Sequence, residues 1–333
     1  MSKRKILAID QGEHIGGAER FFSEMLSYMS EHFEIHLLTE KNPDYLSLYK
    51  NTGITMHHIP LPKLKPISWK NFRQFKKSKT DISKAIREIQ PDVVLSNTVR
   101  THLLISPLAS AQKIPLVWMA HDLTFPSSLL WWYRRYPQII IACSEFVKHF
   151  YRGRSKTPDI EVVYPFVVDE GTVNTIQTIQ KKKVIGMIGK FIPWKGQEIF
   201  IRMAKNVHER HPEYLFVIIG APYKGNAESE GYYEMCQRLI EEEGLSKVFK
   251  ILPAVSNVLE TIAEWEILVH CSREPEPLGR VVLEGMAAGC AVVASKLGGP
   301  QEIIDHQQTG FLVQPEVQEF TDVVEQLIEH PAL

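Results

Sequence analysis

Two carboxylates, Glu276 and Glu284, stand eight positions apart in the stretch "EPEPLGRVVLEGMAAG", which occupies positions 274–289. On a helix the second would lie roughly 12 Å beyond the first, at 1.5 Å per residue. Carboxylates are good acceptors for vicinal hydroxyl groups, so such a pair can bracket a diphosphate and take hydroxyls at either end. The alternative is that both acids only complement the dipole of a helix N-terminus.

The residues between these acids predict a helix start. Pro277 suits the first helical position, because its missing N–H would have no partner there. The N–H groups of Leu278, Gly279 and Arg280 are then predicted to bind an anion. Gly279 would let a phosphate approach the main chain closely.

A second stretch, "GKFIPWKGQE" at 189–198, carries two cations at the end of a predicted strand. Lys190 and Lys195 are predicted to flank the turn, and Gly189 and Gly196 to allow close backbone approach. Two positive charges there could neutralise a departing nucleoside diphosphate. The alternative is a solvated loop with ordinary lysines.

Short apolar strands alternate with helical patterns along the chain, which predicts parallel, doubly wound sheets. The predicted strands are 5–10, 33–39, 54–59, 92–97, 115–121, 138–144, 184–190, 214–220, 248–254, 267–272, 291–297 and 310–315. We predict an N-terminal domain over 1–166, a polar hinge over 167–183 and a C-terminal domain over 184–333. Open sheets of this kind bind ligands at the carboxyl ends of their strands, so we expect a cleft there.

The composition is globular, with 44% hydrophobic and 23% charged residues among 333 and a net charge of −1. A near-neutral chain argues against nucleic-acid binding. The apolar run at the N-terminus is too short for a signal peptide and no stretch reaches membrane-spanning length, so we expect a cytoplasmic protein. Four cysteines without metal spacing predict reduced, buried thiols: Cys143, Cys236, Cys271 and Cys290.

The segment "EPLGRVVLEGMAAGCAVVASKLGGPQEII", followed by "TGFLV", resembles the signature of the retaining glycosyltransferases of family 4. The resemblance implies a GT-B fold of two Rossmann-like domains, with a nucleoside-diphosphate sugar bound as donor. It implies that Glu276 contacts hydroxyls of the donor sugar and Glu284 the ribose. It also implies no metal ion, no cofactor and no covalent nucleophile. Gly298 and Gly299 fit the family pattern, and a tight turn after a strand explains them equally well.

The first half also resembles this family. "QGEHIGGAERFF" at 11–22 is similar to its N-terminal glycine loop, which implies that Gly16 and Gly17 line the cleft. His121, at the end of a predicted strand, matches a family histidine that faces the transferred sugar. The alternative for the glycine loop is a flexible turn, and the alternative for His121 is a histidine packed in the core. Lys190 departs from the family pattern, which has Arg at this position. Lysine keeps the positive charge but cannot bind a phosphate through two parallel hydrogen bonds as a guanidinium does.

The stretch "KLKPISWKNFRQFKKSK" at 63–79 interleaves Trp69, Phe72 and Phe75 with basic residues and has no acid. Such a helix can lie on an anionic membrane. That reading would suit peripheral attachment at the inner face of the cell membrane and a glycan or lipid-linked acceptor. The alternative is a solvated helix whose aromatic side chains pack on the first domain. A second aromatic and basic patch, 129–136, favours membrane or glycan contact.

We therefore predict metal-independent, retaining sugar transfer to an acceptor hydroxyl, in cell-envelope or surface glycan assembly. Two alternatives remain: a nucleotide-sugar epimerase on the same fold, and a non-catalytic, transferase-like binding subunit. The chain stops at "IEHPAL" directly after a helical segment, where members of the family usually continue. We expect a truncated or short C-terminal tail.

Overall fold

The computed structural model describes residues 3–11, 15–50, 52–61, 69–123, 135–152, 158–165, 170–255 and 257–330. The chain divides into two compact units, Met1–Pro165 and Phe166–Leu333.

The first unit contains a parallel sheet with the strand order β3-β2-β1-β4-β5-β6-β7. Its strands are β1 (Lys5–Ile9), β2 (Glu34–Thr39), β3 (Thr55–His58), β4 (Val93–Ser96), β5 (Leu116–Ala120), β6 (Ile139–Ala142) and β7 (Asp159–Val162). Its helices are α1 (Gly17–Met29), α2 (Pro43–Leu46), α3 (Trp69–Ile89), α4 (Val99–Ala111) and α5 (Glu145–Tyr151). The order reverses between β1 and β4, which makes their carboxyl ends the switch point where such sheets bind ligands.

The second unit contains a parallel sheet with the order β10-β9-β8-β11-β12-β13. Its strands are β8 (Lys182–Ile188), β9 (Leu215–Ile219), β10 (Phe249–Leu252), β11 (Trp265–His270), β12 (Ala291–Ser295) and β13 (Phe311–Val313). Its helices are α6 (Glu170–Gln177), α7 (Gln197–Arg210), α8 (Ala227–Glu242), α9 (Val258–Ile262), α10 (Arg280–Ala287), α11 (Pro300–Ile303) and α12 (Val317–Glu329). Here the switch point lies between β8 and β11.

Both faces of each sheet are covered, which explains the continuous apolar runs. In β11, Ile267 and Val269 belong to one buried cluster, while Leu268 belongs to the cluster on the opposite face. Strand β1 alternates in the same way, since Leu7 and Ile9 share a cluster that excludes Ile6 and Ala8.

The predicted doubly wound sheets and all of the predicted strands are confirmed, with ends that differ by a few residues. Strand β7 was not predicted, because its sequence "DIEV" carries two acids and it lies at the sheet edge beyond β6. The segment predicted as the hinge, 167–183, contains a helix. Residues 170–177 form α6, and Ile176 packs in a core cluster of the second unit.

All four cysteines are buried and outside any disulfide, as predicted. Within the described ranges, no helix combines the length and the apolar character needed to cross a membrane.

Candidate functional site

Two loops meet at the switch point of the second sheet. One follows β8 over residues 189–196, and the other follows β11 over residues 271–279. The N–H of Arg273 donates to the carbonyl of Trp194 over 2.7 Å. Neighbouring parallel strands end at the same edge, so the side chains of both loops are presented together.

Glu276 is the centre of a hydrogen-bonded cluster between these loops. Its Oε1 lies 2.5 Å from Nζ of Lys195, and its Oε2 lies 2.5 Å from Nε2 of His270. The Ser272 hydroxyl donates to the same Oε2 over 3.0 Å. The side chains of Lys195 and Glu276 are each only 13% exposed, so the ion pair is largely shielded from water.

The charges around Glu276 keep it ionised. Burial alone would raise the pKa of the Glu276 carboxyl, but the charge of Lys195, together with the interactions of His270, holds that pKa well below its usual range. The carboxylate is therefore a permanent hydrogen-bond acceptor near neutral pH.

The Gly298–Gly299 turn holds the backbone of Glu276. The N–H of Gly299 donates to the Glu276 carbonyl over 2.8 Å, and Glu276 forms an isolated parallel bridge with Gly298. A Cβ at Gly298 would lie 2.4 Å from the same carbonyl. The two glycines therefore make a turn and also permit close approach of two backbone segments.

The predicted helix start at Pro277 is wrong. Gly279 is left-handed, with φ +89°, and caps α10, which begins at Arg280. This left-handed residue interrupts the helical backbone, so Pro277 is not the first residue of the helix. Leu278 lies outside the helix, with its Cα against Gly299, so its N–H is not part of the helix N-terminus. The first-turn N–H groups are those of Arg280 onward.

Glu284 lies within α10 and is 6% exposed. Its Oε1 accepts a hydrogen bond from Nε of Arg280, one turn earlier, over 3.1 Å. The two carboxylates do not share a helix, since Glu276 precedes α10. Their positions are fixed by different elements.

Lys190 is at the same edge, on the loop after β8. Its Nζ lies 5.5 Å from the centre of the Tyr223 ring, and burial lowers the pKa of the ammonium. Gly189, just before it, donates its N–H to the carbonyl of Ile219 over 3.0 Å, which keeps the loop start on the sheet. The roles of Lys190 and Gly189 in ligand binding stay predictions.

His270 and Ser272 were missed by the sequence interpretation, which treated "ILVHCS" only as an apolar strand. Both are buried, at 3% and 1% exposed. A polar side chain at the carboxyl end of a strand beside the switch point was the available signal.

In the first unit, Gly16 caps α1 and Gly17 is its first residue. The Gly16 N–H donates to Oε2 of Glu19 over 2.9 Å. His121 follows β5, and its ring meets the Phe21 ring edge-on at 5.7 Å. Burial lowers the pKa of His121 to about 4, and Nε2 has no hydrogen-bond partner among the described residues. His121 is therefore a neutral imidazole, and its role at a ligand stays a prediction.

Two acids near the switch point of the first sheet, the buried Asp10 and the half-buried Glu19, were also missed. Asp10 follows β1 and accepts a hydrogen bond from the Tyr45 hydroxyl over 2.5 Å. Burial raises the pKa of Asp10 to about 6, although Tyr45 lowers it. Burial, together with the charge of Asp10, raises the pKa of Glu19 to about 7.

The Glu19 carboxyl should make the stability of the first unit fall as pH rises. Because its folded pKa of about 7 exceeds its ordinary value of 4.5, the folded state holds the proton more tightly, and this contribution is lost between those two pH values. In the unmodified protein this lowers the free energy of unfolding by up to roughly 3 kcal/mol as pH rises. We expect Glu19→Gln to abolish that decrease. Urea unfolding at pH 5 and 7.5, followed by hydrogen exchange of first-unit peptides, measures this. Equal pH dependence in both proteins would contradict it.

The basic stretch lies only partly within the described residues. Residues 63–68 and the side chains of Trp69 and Phe72 lie outside them. Phe75, on α3, packs against a core cluster of the first unit, with Nζ of Lys79 4.7 Å from its ring centre. Phe75 therefore packs on the first unit, as the alternative interpretation of this stretch expects.

The second aromatic patch is described only at its end, since 129–134 lie outside the described residues. Tyr136 packs against the same cluster as Phe75, and the Arg135 guanidinium lies 4.9 Å from the Tyr136 ring centre. Its Tyr136 end is thus part of the first-unit packing.

Two family models match successive parts of the chain. The model described as Glycosyltransferase Family 4 matches residues 15–170, and the model described as Glycosyl transferases group 1 matches residues 172–333. The chain belongs to the family 4, group 1 glycosyltransferases. The resemblance seen in the sequence is thereby confirmed.

Curated relatives of this group 1 glycosyltransferase match parts of it. Spore coat protein SA of Bacillus subtilis is 25% identical over 192 residues, 52% of this chain and 50% of that protein. D-inositol 3-phosphate glycosyltransferase of Corynebacterium jeikeium is 32% identical over 135 residues, 40% of this chain and 32% of that protein. The chain thus spans half or less of the length of these relatives.

Solved structures match nearly the whole glycosyltransferase chain. Anabaena HepE, in complex with UDP-glucose, has a TM-score of 0.81 at 22% identity, covering 98% of this chain and 90% of that one. A glycosyltransferase from Rickettsia africae has a TM-score of 0.78 at 18% identity, covering 99% and 89%. These likenesses establish the predicted GT-B fold of two Rossmann-like domains.

Proposed function

We propose that this glycosyltransferase moves a sugar from a nucleoside-diphosphate sugar to an acceptor hydroxyl, with retention at the anomeric carbon. The observation that carries the proposal is the shielded cluster of Lys195, Glu276 and His270 at the switch point of the second sheet. An ionised carboxylate held between a lysine and a histidine is suited to ordering sugar hydroxyls beside a phosphate.

The diphosphate of the donor would bind beside the N-terminus of α10. The N-terminus of α10, at Arg280, carries the positive end of the helix dipole, which favours an anion there. Lys195 and Lys190 add cations on the facing loop. Together these groups would stabilise the charge that builds on the leaving phosphate.

The two carboxylates divide the recognition of the donor. Glu276 would accept hydrogen bonds from hydroxyls of the transferred sugar. Glu284, oriented by Arg280, would accept from the ribose hydroxyls. HepE is solved with UDP-glucose, and we propose a uridine donor for this chain as well.

The reaction would proceed by attack on the face that the leaving group departs from, through an oxocarbenium-like transition state. The C–O bond to the leaving phosphate breaks, the bond to the acceptor oxygen forms, and a leaving phosphate oxygen accepts the acceptor proton. The proposal includes no metal ion and no covalent nucleophile, as the family resemblance implies; Lys190, Lys195 and the helix N-terminus would supply the positive charge at the leaving phosphate. The family resemblance supports retention, which the anomeric proton coupling constant of the product distinguishes from inversion.

A thermal-shift screen of uridine, guanosine and adenosine diphosphates and their sugars tests the donor. A ligand at 100 times its Kd stabilises the folded state by about 2.7 kcal/mol, so one nucleotide should raise Tm by several degrees. Glu284→Ala, compared with its own ligand-free Tm, should abolish that rise. No response of the unmodified chain to any nucleotide would exclude the proposed donor class.

The charge at Lys190 should set the affinity for the diphosphate. We expect Lys190→Gln to raise the Kd for UDP about tenfold, because a charge-assisted hydrogen bond is lost. Lys190→Arg should lower the Kd, since a guanidinium binds phosphate through two parallel bonds. Lys224→Gln, which removes an exposed lysine from the loop after β9, is the control. Calorimetric titration with UDP measures all three, and equal Kd values for the two glutamine variants would contradict the assignment.

We also propose a glycan or lipid-linked acceptor of the cell envelope, reached from an anionic membrane surface. Arg73, Lys76 and Lys77 are exposed on α3, which supports attraction of about 1 kcal/mol per basic residue near such a surface. Co-sedimentation with anionic and neutral vesicles tests this. Equal binding to both would contradict an electrostatic attachment.

A further inference from the structure

We propose that His270 is a positioning residue, which fixes the Glu276 carboxylate in the orientation needed for the transferred sugar. The inference rests on the proposed function, because it gives Glu276 a sugar to bind. It assigns a role to a residue that would not contact the donor itself but contacts Glu276, which would.

The geometry restrains Glu276 at both carboxylate oxygens. Lys195 holds Oε1 from the loop after β8, and His270 holds Oε2 from the end of β11, each over 2.5 Å. Ser272 reaches the same Oε2 over 3.0 Å and lies 3.1 Å from Nε2 of His270. A carboxylate oxygen has two acceptor directions; His270 and Ser272 use both at Oε2, whereas Oε1 keeps one for a ligand hydroxyl.

The environment of the imidazole indicates which nitrogen carries the proton. The carboxylate accepts only, so Nε2 must donate to it. In the part of the chain that the structure describes, the buried Nδ1 has no hydrogen-bond partner. A proton on Nδ1 would therefore be buried without an acceptor, which is unfavourable. The Nε2–H tautomer therefore satisfies the site.

Lys195 alone could not fix the carboxylate in this way. A lysine ammonium is a point charge on a flexible stem, whereas the imidazole is a rigid donor set in a strand. His270 is 3% exposed at the end of β11, so its ring position is set by the sheet. Loss of His270 should leave Glu276 charged and paired with Lys195, but held at Oε2 only by the Ser272 hydroxyl, which a single rotatable bond allows to turn.

Two substitutions separate donation at Nε2 from simple filling of space. In His270→Gln the side-chain amide nitrogen reaches about as far as Nε2 and can donate to Glu276. In His270→Asn the amide is shorter and corresponds to Nδ1, so it cannot reach. Neither change adds volume to the buried site.

The first measurement needs no substrate. In a protein labelled with 15N at histidine, long-range spectra report the tautomer of each ring, and the His270 signal is the one missing in His270→Gln. We expect the Nε2–H form, with its proton shifted downfield and that shift lost in Glu276→Gln. An Nδ1–H tautomer at His270, or no response to Glu276→Gln, would overturn the inference.

The second measurement uses UDP and UDP-glucose as probes. We expect His270→Asn to lower the rate of UDP release from UDP-glucose at least roughly tenfold, because a hydrogen bond to a charged group is lost. The Kd for UDP, which carries no sugar, should change less than threefold. His270→Gln should recover most of the lost rate. A matching loss of UDP affinity in His270→Asn, or no recovery with Gln, would overturn the positioning role.

The two failures are distinguishable. If the unmodified protein neither binds UDP nor releases it from UDP-glucose, the proposed uridine donor is wrong, while the NMR result still decides whether His270 holds Glu276. If the unmodified protein turns over UDP-glucose and His270→Asn does so equally well, only the role of His270 is wrong.

Discussion

Glu276→Gln should lower turnover of the donor on the order of 100-fold, because a fixed charge beside developing positive charge is a large electrostatic contribution. Gln keeps the shape of the side chain, and its one carbonyl oxygen can still accept. It cannot form an ion pair with Lys195, whose Nζ lies 2.5 Å from the carboxylate. Release of UDP from UDP-glucose, measured at saturating donor, gives the change in kcat.

The matched control is Glu274→Gln, two positions earlier in the same loop. Glu274 is exposed, so its charge is screened by water and should contribute little to turnover. Melting curves of both variants show whether the second unit is still folded, since Glu276→Gln leaves a shielded lysine without its partner. Equal turnover in the two variants would exclude Glu276 from the reaction.

The sheets could be predicted because their signal is local. Near-continuous Val, Ile and Leu runs mark strands covered on both faces, and every such run proved to be a strand. Strand β7 was not predicted, because "DIEV" has neither a continuous apolar run nor a fully buried face. Helix α6 was not predicted, because its sequence is mostly polar and gives no apolar helical period; Ile176 is its one deeply buried residue among those described.

Some residues of the site could be predicted from the sequence, but the contacts between them could not. The positions of Lys195 and Glu276 follow from strand ends and motif spacing. The contact between them joins residues 81 positions apart and depends on β8 and β11 being neighbours. His270 marked itself only by its place at the carboxyl end of a strand, and its pairing with Glu276, six positions later, depends on how the intervening loop folds back.

The helix start was misplaced for a tertiary reason. Pro277 is a good first helical residue by local preference. Here the backbone of Leu278 packs against Gly299, and the left-handed Gly279 separates Pro277 from the helix. Gly279 then reverses the chain with a positive φ that local rules favour more strongly after a helix than before one.

Gly196→Ala should destabilise the second unit by about 3 kcal/mol or more, because it adds a steric clash to backbone strain. Gly196 caps α7 with φ +73°, and a Cβ there would lie 2.2 Å from the carbonyl oxygen of Cys271. That oxygen belongs to the loop that leads to Glu276, so relief of the clash must separate the two loops. We therefore expect donor turnover to fall along with stability.

Gly225→Ala measures the cost of left-handed backbone strain without a steric clash of the added Cβ. Gly225 has nearly the same φ, +77°, but an added Cβ would meet nothing within 4 Å. A left-handed alanine costs about 1–2 kcal/mol, so Gly225→Ala should lose only that amount and keep full turnover. Urea unfolding followed by hydrogen exchange of peptides from the second unit measures both losses where they occur. If Gly196→Ala were no less stable than Gly225→Ala, the loops after β8 and β11 could not be packed backbone against backbone, and the position of Lys195 beside Glu276 would lose its structural basis.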